Sequence, residues 1–173
     1  MNQKIIIIDG IDKVGKTTIA AALSKEIGIP VFKRKNVKKN YDFIVDLFYS
    51  IESYLQFLEQ TRYSVIFDRL YPSEYAYSRA LGRITSLAKI IDIDKRFSAL
   101  GAYMIILNKS IDKHLNDEII PIELYDKIND GFMTFVNKYT FCKTLILNTS
   151  DENLEKQLEQ IKDFISWTSE LQK

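Results

Sequence analysis

The sequence predicts an α/β fold in three layers, a parallel sheet with helices on both faces. Three observations predict it. Apolar runs of strand length alternate with segments of helical period along the whole 173-residue chain. The first run, Ile5 to Ile8, has no polar position, as a strand buried on both faces requires. It leads into Gly10-Ile11-Asp12-Lys13-Val14-Gly15-Lys16-Thr17, a full match to G-x-x-x-x-G-K-[ST], and an Ala-rich amphipathic segment from Thr18 to Ile27 follows.

The remaining elements follow in order. Gly28 ends the first helix, and Pro30-Val31-Phe32 reads as a short second strand. Lys33-Arg34-Lys35-Asn36-Val37-Lys38-Lys39 comes next, five basic residues without an acid. Such a run is either a solvated loop or a basic lining for a ligand. In an open parallel sheet ligands bind beyond the carboxyl ends of the strands, where this loop emerges. From Tyr41 to Gln60, Ile44, Leu47, Phe48, Ile51, Leu55 and Leu58 recur at helical spacing.

Tyr63 to Phe67 is a third strand, delivering Asp68-Arg69 at its carboxyl end. Pro72 suits the first turn of a helix running to Ala80, which Gly82 stops. A further helical stretch from Ile84 to Leu100 stops at Gly101, and Tyr103 to Leu107 is the fourth strand. Asn108 to Ile120 is a polar connection with the sole histidine, His114. Pro121 opens a helix striped by Tyr125, Ile128, Phe132, Phe135 and Tyr139. Lys143 to Leu147 is the fifth strand, and Asn148-Thr149-Ser150 leads into a last helix with Leu154, Leu158, Ile161 and Ile165 on one face. Parallel strands then require right-handed crossovers.

Composition sets the outer bounds. The length suits one domain, residues 1–173, around one core. Apolar and charged fractions of 46% and 27% are those of a folded globular chain. A formal net charge of +1 argues against a global nucleic-acid footprint, so basic chemistry is local. Cys142 is the only cysteine, which excludes an internal disulfide and a thiolate metal cluster. No apolar run reaches membrane-spanning length and no signal peptide precedes the first strand, so a cytoplasmic location is expected.

The loop motif carries the chemistry. Gly10 and Gly15 permit the backbone angles and close approach by which successive N–H groups, through Val14, Gly15, Lys16, Thr17 and Thr18, surround a phosphate. The following helix N-terminus adds partial positive charge. Lys16 is suited to the β- and γ-phosphates of ATP and the Thr17 hydroxyl to Mg²⁺. Asp68, ending a neighbouring strand, is a second anchor for that metal. Arg69 beside it offers a planar fork for an acceptor phosphate or the transferring group. A regulatory GTPase is excluded, because Asn108-Lys109-Ser110-Ile111 lacks the aspartate of N-K-x-D and the only D-x-x-G, Asp12 to Gly15, lies inside the phosphate loop.

With these residues in view, the chain resembles the thymidylate kinase family of P-loop kinases. That family's phosphate loop carries an acid and often a base, as Asp12-Lys13 do here. Its second signature, D-R-[YH]-x-x-S-x-x-A-Y-Q, is matched by Asp68, Arg69, Ser73, Ala76 and Tyr77, with departures at Leu70 and Ser78. Leu47-Phe48 resembles the Leu-Phe pair whose phenylalanine stacks on the base. Leu124-Tyr125-Asp126-Lys127 to Gly131-Phe132 resembles the segment after the lid, here the short lid 108–120.

The resemblance implies a five-stranded sheet of order 2-3-1-4-5 and a phosphotransferase moving the γ-phosphoryl of ATP, with Mg²⁺, onto a deoxynucleoside monophosphate. By position, Asp12 would hold the acceptor's 3′-hydroxyl and orient its phosphate, and Lys13 would bridge the two phosphates. Arg34 and Arg69 would grip the acceptor phosphate, and Phe48, Glu52 and Tyr77 would line its site. Homodimerisation is implied by the resemblance alone, while the near-neutral charge and the lack of a membrane-length apolar run predict neither a nucleic-acid nor a membrane partner. Glu52 stands where the family carries a thymine-reading arginine, and an ionised glutamate cannot donate to a carbonyl. The lid has no arginine, so Lys13, or Arg79 or Arg83 from elsewhere, must supply charge to the donor.

Three other readings remain open. A deoxynucleoside kinase needs a carboxylate base after the second strand, where this chain has Lys33-Arg34-Lys35, although Asp42 or Asp46 could serve. A polynucleotide 5′-kinase lacks its basic stripe here. A non-catalytic nucleotide-binding regulator would explain the arginine-free lid.

Overall fold

The computed structural model describes residues 3–33, 43–110, 122–151 and 153–170. Five strands, β1 (Ile5–Gly10), β2 (Val31–Lys33), β3 (Val65–Asp68), β4 (Tyr103–Asn108) and β5 (Lys143–Asn148), form one sheet in the order β2-β3-β1-β4-β5. All four pairings are parallel. The described residues also form six helices, five between strands and one after β5: α1 (Lys16–Ile27), α2 (Phe43–Thr61), α3 (Tyr71–Ala80), α4 (Leu87–Ala99), α5 (Ile122–Lys138) and α6 (Leu154–Glu170). Layers, order and parallel sense agree with the expected fold.

β1 is central because every one of its side chains is buried, with Ile5, Ile6, Ile7 and Ile8 fully enclosed. It pairs Ile8 with Asp68 of β3 on one side and Gly10 with Leu107 of β4 on the other. Chain order reverses across β1, with β2 and β3 on one flank and β4 and β5 on the other, so the phosphate loop leaves the sheet at the switch point. Gly10, at φ +145, is required there: a Cβ would stand 2.4 Å from the Leu107 carbonyl oxygen.

The helices pack as their apolar stripes dictate. In α2, Phe48, Ile51, Leu55 and Leu58 are buried, while the side chains of Ile44 and Leu47 lie outside the described residues. In α5, Tyr125, Ile128, Phe132 and Phe135 are buried, and Gly131 lets α5 approach α3 closely. A Cβ at Gly131 would lie 2.8 Å from Ala76 Cα. Around this contact Tyr71 stacks on Phe97 at 5.5 Å and meets Phe135 edge-on at 6.0 Å.

Element ends shift by a residue or two from expectation. β2 runs through Lys33, which the sequence reading assigned to the basic loop, because its backbone pairs opposite Asp68. α4 begins at Leu87 instead of Ile84, with Ser86 capping it through the Lys89 N–H; Ile84 is 92% exposed. On the buried face of α4, Asp94 pairs with no cation among the described residues. Asp94 instead accepts from the Tyr71 hydroxyl at 2.8 Å, the Thr140 hydroxyl at 2.9 Å and the Phe141 N–H at 2.5 Å. Cys142 sits in this network, its thiol pushed up to about 12 by burial and by Asp94, so it behaves as a packing residue.

Candidate active site

Three segments converge at the carboxyl edge of β1, β2 and β3. The first is the loop from Gly10 to Gly15. It turns into α1 at Gly15, whose φ of +96 gives the left-handed bend that starts the helix. Lys13 also adopts a left-handed angle, φ +60, and its side chain is exposed. Val14 is buried, and its carbonyl accepts from the Thr149 hydroxyl at 3.0 Å, which fastens the loop to the end of β5. Lys16 is 7% exposed and folds back over the loop, donating to the carbonyls of Gly10 at 3.0 Å and Ile11 at 2.5 Å.

The second segment is Asp68-Arg69 and the start of α3. Arg69 has φ +76, a left-handed angle costing about 1 kcal/mol outside glycine, and its N–H bonds the Ile8 carbonyl at 2.9 Å. With the backbone held so, its guanidinium pairs with the Asp12 carboxylate and lies 5.4 Å from the centre of the Tyr77 ring. The Tyr77 hydroxyl donates to the other Asp12 oxygen at 2.9 Å and accepts from the Asp12 N–H at 3.1 Å. Asp12, Lys16, Arg69 and Tyr77 thus form one cluster, with Lys16 4.0 Å from Asp12.

Charge balance in the cluster has readable causes. Burial, and then Arg69 nearby, push the Lys16 ammonium down to about 8. Burial opposes the charge on Asp12, yet Arg69, Lys16 and the Tyr77 hydroxyl together hold its carboxyl below the usual range. Arg69 stays firmly charged, because Asp9 and Asp12 outweigh its burial. The Tyr77 hydroxyl is pushed up by burial and remains a donor.

The third feature is the Thr17–Asp68 pair. The Thr17 hydroxyl donates to Asp68 Oδ2 at 2.8 Å, and the Lys33 ammonium lies 2.7 Å from Thr17 Oγ1 and 3.2 Å from Asp68 Oδ2. A hydroxyl and a carboxylate side by side, already holding a cation, fit a hard divalent ion that takes its other ligands from phosphates and water. Among the described residues no group of three His, Cys, Asp or Glu forms a self-sufficient metal site.

Several expected residues lie outside this cluster. Phe48 is 4% exposed, part of the core, with the Lys89 ammonium 5.6 Å from its ring centre. Glu52 is half-buried on the same helix. Arg79 is exposed and reaches the Tyr75 hydroxyl at 3.5 Å, and Arg83 is exposed beyond the end of α3. Thr18 is exposed on the first turn of α1. Arg34, Asp42, the Asp46 side chain and lid residues 111–120, with Lys113 and His114, lie outside the described residues.

Sequence reasoning passed over Asp9, Thr149 and the placement of Lys33. Asp9 is fully buried and accepts from the N–H groups of Gly10, Leu70 and Ser73 and from the Ser73 hydroxyl. An acid ending an otherwise all-isoleucine strand was the available signal, since an acid so placed needs partners.

No protein-family model and no curated protein sequence matches the chain. Solved structures do. The YorR protein from Bacillus subtilis, in complex with phosphorylated GDP, superposes with a TM-score of 0.75 at 21% identity, covering 96% of this chain and 98% of that one. Deoxyadenosine kinase from M. mycoides with bound dATP gives 0.65 at 18% identity, covering 94% and 99%. Thymidylate kinase from Candida albicans gives 0.62 at 14% identity, covering 97% and 93%. At these identities the likeness is one of fold, a five-stranded parallel sheet flanked by helices, and it extends over nearly the whole chain.

Proposed function

We propose that the protein is an ATP-dependent nucleotide kinase that transfers a γ-phosphoryl group to a deoxynucleoside monophosphate. The observation that carries the reading is the joining of Lys16, Asp12, Arg69 and Tyr77 in one cluster beside the Thr17–Asp68 pair. Donor phosphates and acceptor phosphate would then meet over one loop.

In this reading the N–H groups from Val14 to Thr18 hold the donor's phosphates, and the Lys16 ammonium leaves its two carbonyls for the β- and γ-oxygens. Thr17 and Asp68 would hold Mg²⁺, which when bound neutralises charge on those phosphates. Arg69, kept oriented by Asp12 and Tyr77, offers its fork to the acceptor phosphate, with Arg34 as a second grip. An oxygen of that phosphate attacks the γ-phosphorus, the bond to the β–γ bridging oxygen breaks, and ADP leaves with that electron pair. An acceptor dianion needs no general base, which agrees with Lys33-Arg34-Lys35 standing where a nucleoside kinase wants a carboxylate. Lys13 supplies positive charge that the arginine-free lid lacks. Glu52 and Tyr77 would line the acceptor side, with Glu52 favouring a base that offers an amino donor. Homodimerisation is carried by the resemblance alone, and a cytoplasmic location by the sequence alone.

A second reading, a deoxynucleoside kinase, draws support from the likeness to deoxyadenosine kinase. A coupled ADP-release assay with ATP-Mg²⁺ against each deoxynucleotide and its parent nucleoside separates the two. Turnover with monophosphates alone supports the proposal, and turnover with nucleosides alone replaces it with the second reading. Nucleotide binding without turnover on any acceptor leaves a regulator.

A further inference from the structure

Lys33 ends β2 directly opposite Asp68, which ends β3. From that register its side chain reaches the Thr17–Asp68 pair, and the three polar groups close a triangle. Thr17 Oγ1 gives its single proton to Asp68 Oδ2 at 2.8 Å and accepts from Lys33 Nζ at 2.7 Å, while Lys33 Nζ lies 3.2 Å from the same Asp68 oxygen. Asp68 is 3% exposed and Lys33 59%, so a solvated stem carries a charged head onto a buried carboxylate. A buried carboxylate is costly unless paired, and among the described residues Lys33 is the ammonium in contact with it.

We propose that Lys33 is a tethered cation that occupies the protein's two metal-anchoring oxygens and competes with free divalent ions for them. The inference rests on reading Thr17 and Asp68 as those anchors. A divalent ion on the same oxygens would stand a few ångströms from the ammonium, and like charges repel strongly at the edge of a low-dielectric interior. Bound nucleotide changes the balance, because its phosphates give the ammonium another acceptor on the same edge of the sheet. Metal is thereby admitted with nucleotide and resisted without it. Lys33 is a positioning residue for the metal step.

The test is Mn²⁺ binding to the nucleotide-free protein, followed by electron paramagnetic resonance. Lys33→Met keeps the stem and removes the charge, and its exposed position leaves the core untouched. The expected result is Mn²⁺ affinity about tenfold higher in Lys33→Met than in wild type, return toward wild type in Lys33→Arg, and loss of the gain when Asp68→Asn is added. Unchanged or weaker Mn²⁺ binding in Lys33→Met overturns the proposal, as does a gain that survives Asp68→Asn. ATP binding by the wild-type protein, measured alongside, tests the phosphate-loop reading separately and does not enter the Mn²⁺ comparison.

Discussion

The Asp9 carboxylate holds Ser73 twice, accepting from its N–H at 3.0 Å and from its hydroxyl at 2.5 Å. Asp9 is next to last in β1, which feeds the Gly10–Gly15 loop, and Ser73 lies in the first turn of α3, which follows Asp68-Arg69. Further bonds from the N–H groups of Gly10 and Leu70 make this carboxylate the joint between the Gly10–Gly15 loop and the segment that follows β3. Burial pushes its carboxyl upward, and Arg69, Ser73 and Lys16 pull it back.

Asp9→Asn keeps the shape and replaces one accepting oxygen with an amide donor, leaving N–H groups facing an N–H group. Stability should fall by about 2–3 kcal/mol, since a buried unsatisfied donor costs roughly 1–3 kcal/mol. Urea unfolding checks it, and a variant as stable as wild type would show that the joint contributes nothing to holding the two segments.

Lys16 makes stability pH-dependent with a definite sign. Its ammonium titrates near 8 in the folded chain against an ordinary value of 10.5. Between those values the unfolded chain binds more protons, so the Lys16 contribution to stability rises with pH across this window, by on the order of 3 kcal/mol in total. Cys142, Tyr71 and Tyr77 are all pushed upward and act in the opposite direction above their ordinary values. The Lys16 share is therefore read as the stability of wild type minus that of Lys16→Met, measured by urea unfolding from pH 7 to 9. The difference should climb with pH, and a flat profile would mean an unperturbed lysine.

Lys13→Ala should lower kcat by about a hundredfold or more while KM changes little. Residues 108–120 contain no arginine, so in the proposed reaction the exposed Lys13 would supply charge to the transition state. Steady-state kinetics with the accepted monophosphate reads the split, and a pure KM effect would assign Lys13 to ground-state binding.

Gly131→Ala should destabilise by roughly 1–3 kcal/mol, the range for forcing a methyl into a filled interface. A Cβ there meets Ala76 Cα at 2.8 Å, and both sides are helix backbone that cannot yield cheaply. The gain in helix propensity, about 1 kcal/mol at most, does not offset it. Thermal unfolding measures the balance.

Much of this was legible along the chain because it is local. Ile5 to Ile8, the phosphate-loop spacing, the caps at Gly28 and Gly101 and the stripe from Tyr125 to Phe135 follow from period, backbone freedom and burial within a few residues of each other. The motif residues Asp12, Lys16, Thr17, Asp68 and Arg69 could be named the same way. Their partners could not. That Lys33 belongs to a strand and rests on Thr17 and Asp68 depends on the register of β2 against β3, and that Asp9 binds Ser73 depends on β1 lying beside β3. Such pairings join residues dozens of positions apart, where no periodicity carries information. The sequence by itself determined the strands, the helices and the residues of the loop motif; tertiary structure decided which charges face one another, because hydrogen bonds and ion pairs act over a few ångströms of space and not along the chain.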